Sequence, residues 1–533
     1  MNQSRWPLWV LGFAVVVFVV GFTWLAHARY RTLFSHDWRD ESVNNQLLYN
    51  TAHGRPLRST VKGDMIFHKH FRPIFLPLSL PYLVHAGPTA FYFAMALLLG
   101  LAALAAFNLG RDLFGDDRLA LLSAAFWLLF PPVHELALGI IDPETAAAAF
   151  WLFAFVAFRR RLMRSFWLFA LLAVVCKETH APILAAFGVI ALIERRRWPW
   201  VVWPIVVGSL WFVVAVKWII PLYHPGFAAV YNRFIAVDTV DFWGEFVAGW
   251  QADPMAMLAA MFSREHLYLF VMLLAAGGGL ALLSPVTLLA AGPIALEIML
   301  HREPLPVRQA HILAGLAPFV FAATLLGVAR LSTWLRKLRP EWKKTPLPAA
   351  LLSLLIILVL VLAWLPGPFG RGRTYGAENY RPDSLFAASN FTPDPIAIDG
   401  WCLIERIPPD ATVMTNERYL LALSARREIY EFGNQGDDLE AYLNAQWILF
   451  GLTEPPCVTC VYARLTSDTL HIAAELIRNE LFVVEDRAPQ AILLRRATIE
   501  GEQLPPAQVE QVLAQLDALA AQQKSWEELG EGN

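Results

Sequence analysis

The chain has 533 residues, of which 57% are hydrophobic and only 17% charged, with a formal net charge of −2 and a mean hydropathy of +0.45. That composition excludes an ordinary soluble protein, because so large an apolar excess has to face lipid. The near-neutral charge points to no nucleic acid or other polyanionic partner. The four cysteines are too few for a disulfide framework, and none is spaced as a zinc ligand set.

The first apolar run, Trp9 to Leu25, follows Arg5 and has no small-residue cleavage pattern after it. It reads as a retained anchor with the N-terminus inside. A helix needs about 20 apolar residues to cross about 30 Å of hydrocarbon. By that measure the spans are 7–27, 88–109, 119–138, 144–158, 199–221, 266–284, 286–300, 310–330 and 347–366. The stretch 165–193 is different, because Lys177-Glu178-Thr179-His180 breaks it into two pieces of about a dozen residues. It is either one helix with a polar band or a pair of short helices.

Charge decides between these, since Lys and Arg gather on the cytoplasmic side. Arg159-Arg160-Arg161 with Arg164, Arg195-Arg196-Arg197, and the run from Arg330 to Lys344 should all be cytoplasmic. The first two flank 165–193, so the chain must enter and return there, leaving Lys177 to His180 near the outer face. This gives eleven crossings, with a kinked helix at Ser284-Pro285 as the arrangement that would change the parity. The expected fold is thus an α-helical polytopic membrane domain over 1–366, including an outer loop 28–87, followed by a soluble extracytoplasmic α/β domain over 367–533. In that tail Ala411–Met414 and Ile448–Phe450 read as strands, and Ser467–Glu480 and Pro506–Gln523 as amphipathic helices. Cys402, Cys457 and Cys460 lie there, so an oxidising compartment would permit a disulfide. Cys457-Val458-Thr459-Cys460 also has the spacing of a redox pair.

Ionisable residues collect on the expected outer side. Asp37, Asp40 and Glu41 stand about ten residues beyond the first span, where a solvated loop is the plain alternative. His68, His70 and Arg72 form a basic segment that suits a metal, a phosphate or simply lipid headgroups. His134-Glu135 and Asp142-Pro143-Glu144 lie in the next outer connection, where Asp142 could also be an ordinary helix cap. Lys177, Glu178 and His180 interrupt an apolar segment, which by default marks a functional site. An internal ion pair that lets the chain turn is the alternative. Glu297, Arg302, Arg308 and His311 add charges near a later helix end, where the arginines suit either a phosphate or the interface.

Taken in order, residues 28–330 resemble the DUF2079 family of multi-pass membrane proteins. The resemblance rests on His36-Asp37, Asn50-Thr51-Ala52-His53-Gly54-Arg55-Pro56, His70-Phe71-Arg72-Pro73-Ile74 with Pro81-Tyr82, Asp142-Pro143-Glu144 and Lys177-Glu178. Ile407-Pro408-Pro409 and Ser424-Ala425-Arg426-Arg427-Glu428 continue it in the tail. Where the family usually has a second acidic residue after Lys-Glu, this chain has Thr179-His180. That family is in turn similar to the GT-C glycosyltransferases. The resemblance implies a membrane glycosyltransferase with a polyprenyl-phosphate-linked sugar as donor, and an essential carboxylate in the first outer loop, at Asp37 with Asp40 and Glu41 as neighbours.

Glycosyl transfer needs a base for the acceptor proton and positive charge for the departing phosphate. His68, His70, Arg72, Lys177, Arg302 and Arg308 are candidates for the phosphate; Asp142, Glu144 and His180 are candidates for the sugar hydroxyls or a shared metal. Carboxylates and imidazoles would accept Mg or Mn, although no spacing demands a divalent ion. Asp37, Asp142 and Lys177 are expected to meet in one outer cavity. Neither sugar nor acceptor is legible. A bacterial inner membrane is the expected location, with the N-terminus cytoplasmic. Two other readings remain at this point: a non-catalytic subunit docking a protein partner through its C-terminal domain, and a transporter, for which neither inverted repeats nor midplane sites are visible.

Overall fold

The computed structural model describes residues 6–33, 38–62, 65–67, 70–223, 242–300, 310–364, 386–432, 439–452 and 466–530. Among these, four helices are long and apolar enough to cross a membrane: Trp6–Arg31, Pro88–Phe114, Trp198–Tyr223 and Ala317–Leu338. Two bent pairs raise the number to six if each is one span: Asp117–Leu128 with Pro131–Ala137 at 51°, and Pro254–Met261 with His266–Ala276 at 40°. Shorter apolar helices, among them Thr145–Arg159, Met163–Val174, Glu178–Ile193 and Leu347–Ala363, fill the spaces between. This is an integral membrane protein. The first helix shows why: Trp9, Phe13, Val16, Val20 and Trp24 are exposed along one side, while Leu11, Val15, Phe18 and Val19 pack into the core. An apolar face of that extent needs lipid against it.

Several expected spans have different limits. The helix expected over 266–284 stops at Ala276, because Gly278 and Gly279 take left-handed φ of 56° and 70°, which glycine adopts without a steric penalty. A 3₁₀ turn at Leu280–Leu283 follows, and the span expected over 286–300 is a short apolar helix, Pro285–Leu300, with a 3₁₀ stretch at Leu289–Ala291. The helix expected from 310 begins regular α geometry at Ala317, with Pro318 in its first turn, the place where a missing N–H costs nothing. In the bent pair, Pro131 and Pro132 begin the second piece and break the first.

The stretch 165–193 is a pair of short helices, Met163–Val174 and Ala181–Ile193, joined through Lys177 and a 3₁₀ turn at Glu178–His180. Its two basic ends meet. The Arg196 guanidinium donates to the Phe158 carbonyl and lies 3.6 Å from the Phe158 ring centroid, beside the end of Thr145–Arg159. At the other end Lys177 reaches Glu144, just before that same helix begins. The chain therefore enters and returns, as the charges implied. Each leg is only about 20 Å long at 1.5 Å per residue. Both legs are thus shorter than a full span of about 30 Å.

The segment expected as a polar outer loop is largely built. It holds the helix Trp38–Ala52, a two-residue hairpin of β1 (Arg58–Ser59) with β2 (Met65–Ile66), and short turns over 75–83. The C-terminal residues form a five-stranded sheet in the order β4-β3-β5-β7-β6. Its strands are β3 (Val413–Thr415), β4 (Ile429–Glu431), β5 (Trp447–Gly451), β6 (Phe482–Ala488) and β7 (Ala491–Arg496). β3 pairs in parallel with β4 and β5, and β7 runs antiparallel to β5 and β6. The helices Ser467–Arg478 and Pro506–Gly530 occupy the expected places. Cys402 is an exposed thiol without a disulfide; Cys457 and Cys460 lie outside the described residues.

This sheet is fastened to the first loop. Gln46 Nε2 donates to the carbonyls of Arg426 and Arg427 at 3.3 and 3.2 Å, and its Oε1 accepts from Ser59 Oγ and Thr60 N at 2.8 Å each. Thr60 Oγ1 exchanges two hydrogen bonds with the backbone of Ile429, and Arg39 Nε donates to Glu431 Oε1 at 2.9 Å. Arg426 is itself buried and caps the carbonyls of Leu423 and Ala411; burial pulls its pKa down to about 10. Gln46→Ala strips this joint and leaves buried donors and acceptors unmet, at about 1–3 kcal/mol each. Limited proteolysis of the purified protein should then release a C-terminal fragment faster than from the wild type; an unchanged cleavage rate would show that the joint is redundant.

Candidate functional site

The site forms where three helix ends and the first loop converge. Asp142-Pro143-Glu144 leads into Thr145–Arg159; Asp142 Oδ1 accepts from the Glu144 backbone N–H at 2.8 Å, a local turn of the kind Asp makes before a helix. Its other oxygen is held by Arg72 Nη1 at 2.9 Å. Asp142 thus holds the turn that precedes the helix, whose cap position is Glu144 with no side-chain capping bond, and this occupies half its carboxylate. Arg72 arrives from the first loop, which is pinned nearby by the Ile74 N–H to Val175 carbonyl bond at 3.1 Å.

Glu144, with no solvent-exposed surface, is the hub. Its Oε2 accepts from Lys177 Nζ at 2.9 Å, and its Oε1 faces His180 Nε2 at 3.1 Å. Trp151 Nε1 lies 2.8 Å from His180 Nδ1. An indole N–H can only donate, so His180 Nδ1 accepts and its proton sits on Nε2, aimed at Glu144. Lys177 has a second carboxylate within reach, Glu297 Oε1 at 3.9 Å. Beside these, Glu178 accepts from the Phe71 backbone N–H at 3.1 Å and meets His70 Nδ1 at 2.6 Å. His70 belongs to the loop, and burial holds its pKa below the usual histidine value despite the neighbouring Glu178 carboxylate.

His311 completes the cluster, with Nε2 3.6 Å from Glu144 Oε2 and 3.9 Å from Asp142 Oδ2. One ligand atom from each of Asp142, Glu144 and His311 lies within 4.8 Å of the others, and all three residues are buried. This trio could hold a divalent metal. Two oxygens and an imidazole suit Mg, Mn or Zn, and ligands of one ion at about 2.1 Å sit roughly 3–4 Å apart, close to the spacing here. Two buried nitrogens, Arg72 Nε and His311 Nδ1, meet no hydrogen-bond partner. Buried polar groups left without a hydrogen bond are costly, which fits a site that receives a ligand.

The expected residues therefore divide. His70, Arg72, Asp142, Glu144, Lys177, Glu178, His180 and His311 come together. Asp40 is bound by Lys62 Nζ at 2.8 Å and is close enough to Arg72 for its charge to act there. Glu41 is directed elsewhere, and with Glu135 it bears on Arg29 in a second buried group. Asp37, His68, Arg302 and Arg308 lie outside the described residues. Trp151 was not anticipated, since a tryptophan within an apolar helix carries no signal distinguishing a hydrogen-bond donor from core or lipid contact.

The family profile described as "Predicted membrane protein (DUF2079)" matches residues 29–476. A search of curated proteins gives no match. The fold is similar to the crystal structure of ArnT from Cupriavidus metallidurans bound to undecaprenyl phosphate, at 12% identity and a TM-score of 0.52, covering 93% of this chain and 99% of that one. The apo form of the same protein gives 13% identity and 0.50, covering 94% and 100%. The archaeal oligosaccharyltransferase AglB from Archaeoglobus fulgidus, in complex with an inhibitory peptide and a dolichol-phosphate, is similar at 14% identity and 0.45, covering 96% and 77%. At such identities the likeness to ArnT is one of fold.

Proposed function

We propose, from the premise that this chain belongs to the DUF2079 family of membrane proteins, that it is a GT-C-type glycosyltransferase moving a sugar from a polyprenyl-phosphate carrier to an extracytoplasmic acceptor. The observation that carries this reading is the buried trio Asp142, Glu144 and His311 with Arg72 and Lys177 on the same carboxylates. Buried acids and bases at one recessed point suit a reaction that moves a proton and releases a phosphate. The ArnT likeness adds a fold whose member has been seen with undecaprenyl phosphate.

In this reading Asp37 takes the proton of the acceptor hydroxyl as that oxygen attacks the anomeric carbon. The bond from that carbon to the phosphate oxygen breaks, and the carrier phosphate leaves with the electron pair. Arg72 and Lys177, with His68, His70, Arg302 and Arg308 as further candidates, offset the charge on that phosphate. A divalent ion on Asp142, Glu144 and His311, when bound, would polarise the same oxygens. Asp40, Glu178 and His180 orient these groups. Eleven crossings, a cytoplasmic N-terminus and a C-terminal domain from about residue 367 outside a bacterial inner membrane complete the proposal.

The protein reconstituted in nanodiscs is the material for the test, with a panel of radiolabelled polyprenyl-phosphate sugars. Asp37→Asn should lower turnover by about 10²–10⁴-fold, the usual span for a lost general base, with unchanged thermal stability. A variant retaining full turnover would remove Asp37 from this role. Wild-type protein that neither binds undecaprenyl phosphate nor transfers from any donor, while co-purifying stoichiometrically with another protein, would point to the accessory-subunit reading instead.

A further inference from the structure

Lys177 and Arg72 do more than line the site, because they hold the very oxygens the metal would use. Lys177 Nζ is 2.9 Å from Glu144 Oε2 and Arg72 Nη1 is 2.9 Å from Asp142 Oδ2, while His311 Nε2 faces those same two atoms. Two carboxylates are thus matched by two fixed cations. A dication added to this arrangement would have to displace cations already held by those oxygens, in surroundings where water screens poorly, since the remaining carboxylates, Glu297 beside Lys177 and Glu178 on His70, are not part of the trio. An anion entering with it removes that obstacle. The unpartnered Nε of the buried Arg72 offers it a donor, and Lys177 has an alternative carboxylate in Glu297, 3.9 Å away.

We infer that Lys177 is a built-in competitor for the divalent cation: it occupies Glu144 in the resting site and yields it, moving toward Glu297, only when a phosphate group binds beside Arg72. Metal and phosphate therefore bind as a coupled pair, each tightening the other by the same factor. The inference rests on the proposed metal trio. It gives the polar break in the 165–193 segment a purpose beyond letting the chain turn. It also makes the bare site resistant to filling by whatever divalent ion is abundant.

The test is Mn²⁺ binding to the full-length protein in detergent, read by electron paramagnetic resonance and calorimetry, alone, with inorganic phosphate and with undecaprenyl phosphate. Wild-type protein should bind Mn²⁺ at least 10-fold more tightly with undecaprenyl phosphate present; the same gain with inorganic phosphate would assign the coupling to the phosphate alone, and a gain with the lipid only would assign it to the lipid-borne group. Lys177→Gln should bind Mn²⁺ alone at least 10-fold more tightly than wild type and lose most of the coupling. Glu297→Gln, which leaves the Lys177–Glu144 pair intact and tests the inference even if Lys177→Gln fails to fold, should weaken Mn²⁺ binding and the coupling several-fold. Equal Mn²⁺ affinity with and without either phosphate, or Mn²⁺ affinity unchanged or weakened in a folded Lys177→Gln protein, would overturn the inference. Absence of Mn²⁺ binding under every condition would overturn it too, while the glycosyltransferase reading would still stand or fall on binding and transfer from the lipid donor.

Discussion

Glu144→Gln should be among the most destabilising single substitutions in this protein, at about 3–5 kcal/mol, the range for breaking a buried ion pair by removing one partner. Glutamine keeps the shape and can still accept from His180, whose proton is already on Nε2. What it cannot do is neutralise Lys177, which is almost wholly buried. Glu297, at 3.9 Å, can take up part of that charge and places the expected loss toward the lower end of the range. Lys177→Met in the same background removes the stranded charge and should recover much of the stability. Thermal unfolding of the two proteins in detergent checks this, and equal midpoints for the single and double variants would show that Lys177 is not the source of the loss. Both proteins should be inactive, because the site has lost its hub in each.

The second large effect is expected at Gly208. The helices Ala181–Ile193 and Trp198–Val214 pack so closely that a β-carbon on Gly208 would lie 2.6 Å from the Ala181 carbonyl oxygen and 2.8 Å from the Ala185 nitrogen. Gly188 makes the reciprocal approach, 2.5 Å from the Val201 carbonyl oxygen. Small residues that let backbones touch are a common way for helices to associate in lipid, where burial of apolar surface gives little drive. Backbone atoms cannot step aside as a side chain can, so Gly208→Ala should cost about 1–3 kcal/mol or more through overpacking. It should also disturb the site, since Ala181 directly follows His180. Gly12→Ala is the control: nothing lies within 4 Å of its added carbon, and in a helix alanine is favoured by about 0.5–1 kcal/mol. Melting temperatures of the two variants should move in opposite directions; a Gly208→Ala protein as stable as wild type would mean the helix pair is looser than the contact distances imply.

The parts of this molecule that announce themselves in sequence are those where one residue type is out of place. Lys177 and Glu178 break an apolar run, and the flanking arginines require the chain to double back, so the hairpin and its polar tip are both legible from residue order alone. Asp142, Glu144 and Arg72 are legible in another way, as ionisable residues gathered in the outer connections beside the spans. Other features carry no local mark. Thr60 joins the first loop to β4 across 369 residues of chain, Gln46 joins it to the residues just before β4 across 380 and 381, and neither differs from a polar residue on a solvated surface. β4 is three residues long, too short for an alternating pattern. The break after Ala276 depends on left-handed glycines, and the sequence Gly277-Gly278-Gly279 lies within a run apolar enough to read as a single span. Helix limits are set by glycine and proline geometry, whereas the apolar count registers only the run they interrupt.

The two legs around Lys177 are each only about 20 Å long, and this has a consequence for kinetics. For the proposed glycosyltransferase, a phosphate carried on a lipid would approach the turn sideways, by diffusing in the plane of the bilayer, whereas a water-soluble acceptor would have to leave bulk water to meet it. The search for such a donor would then be two-dimensional. Turnover by such an enzyme would follow the mole fraction of carrier in the membrane, so diluting the donor with inert lipid at constant total concentration would slow the reaction, and diluting the whole suspension with buffer would not.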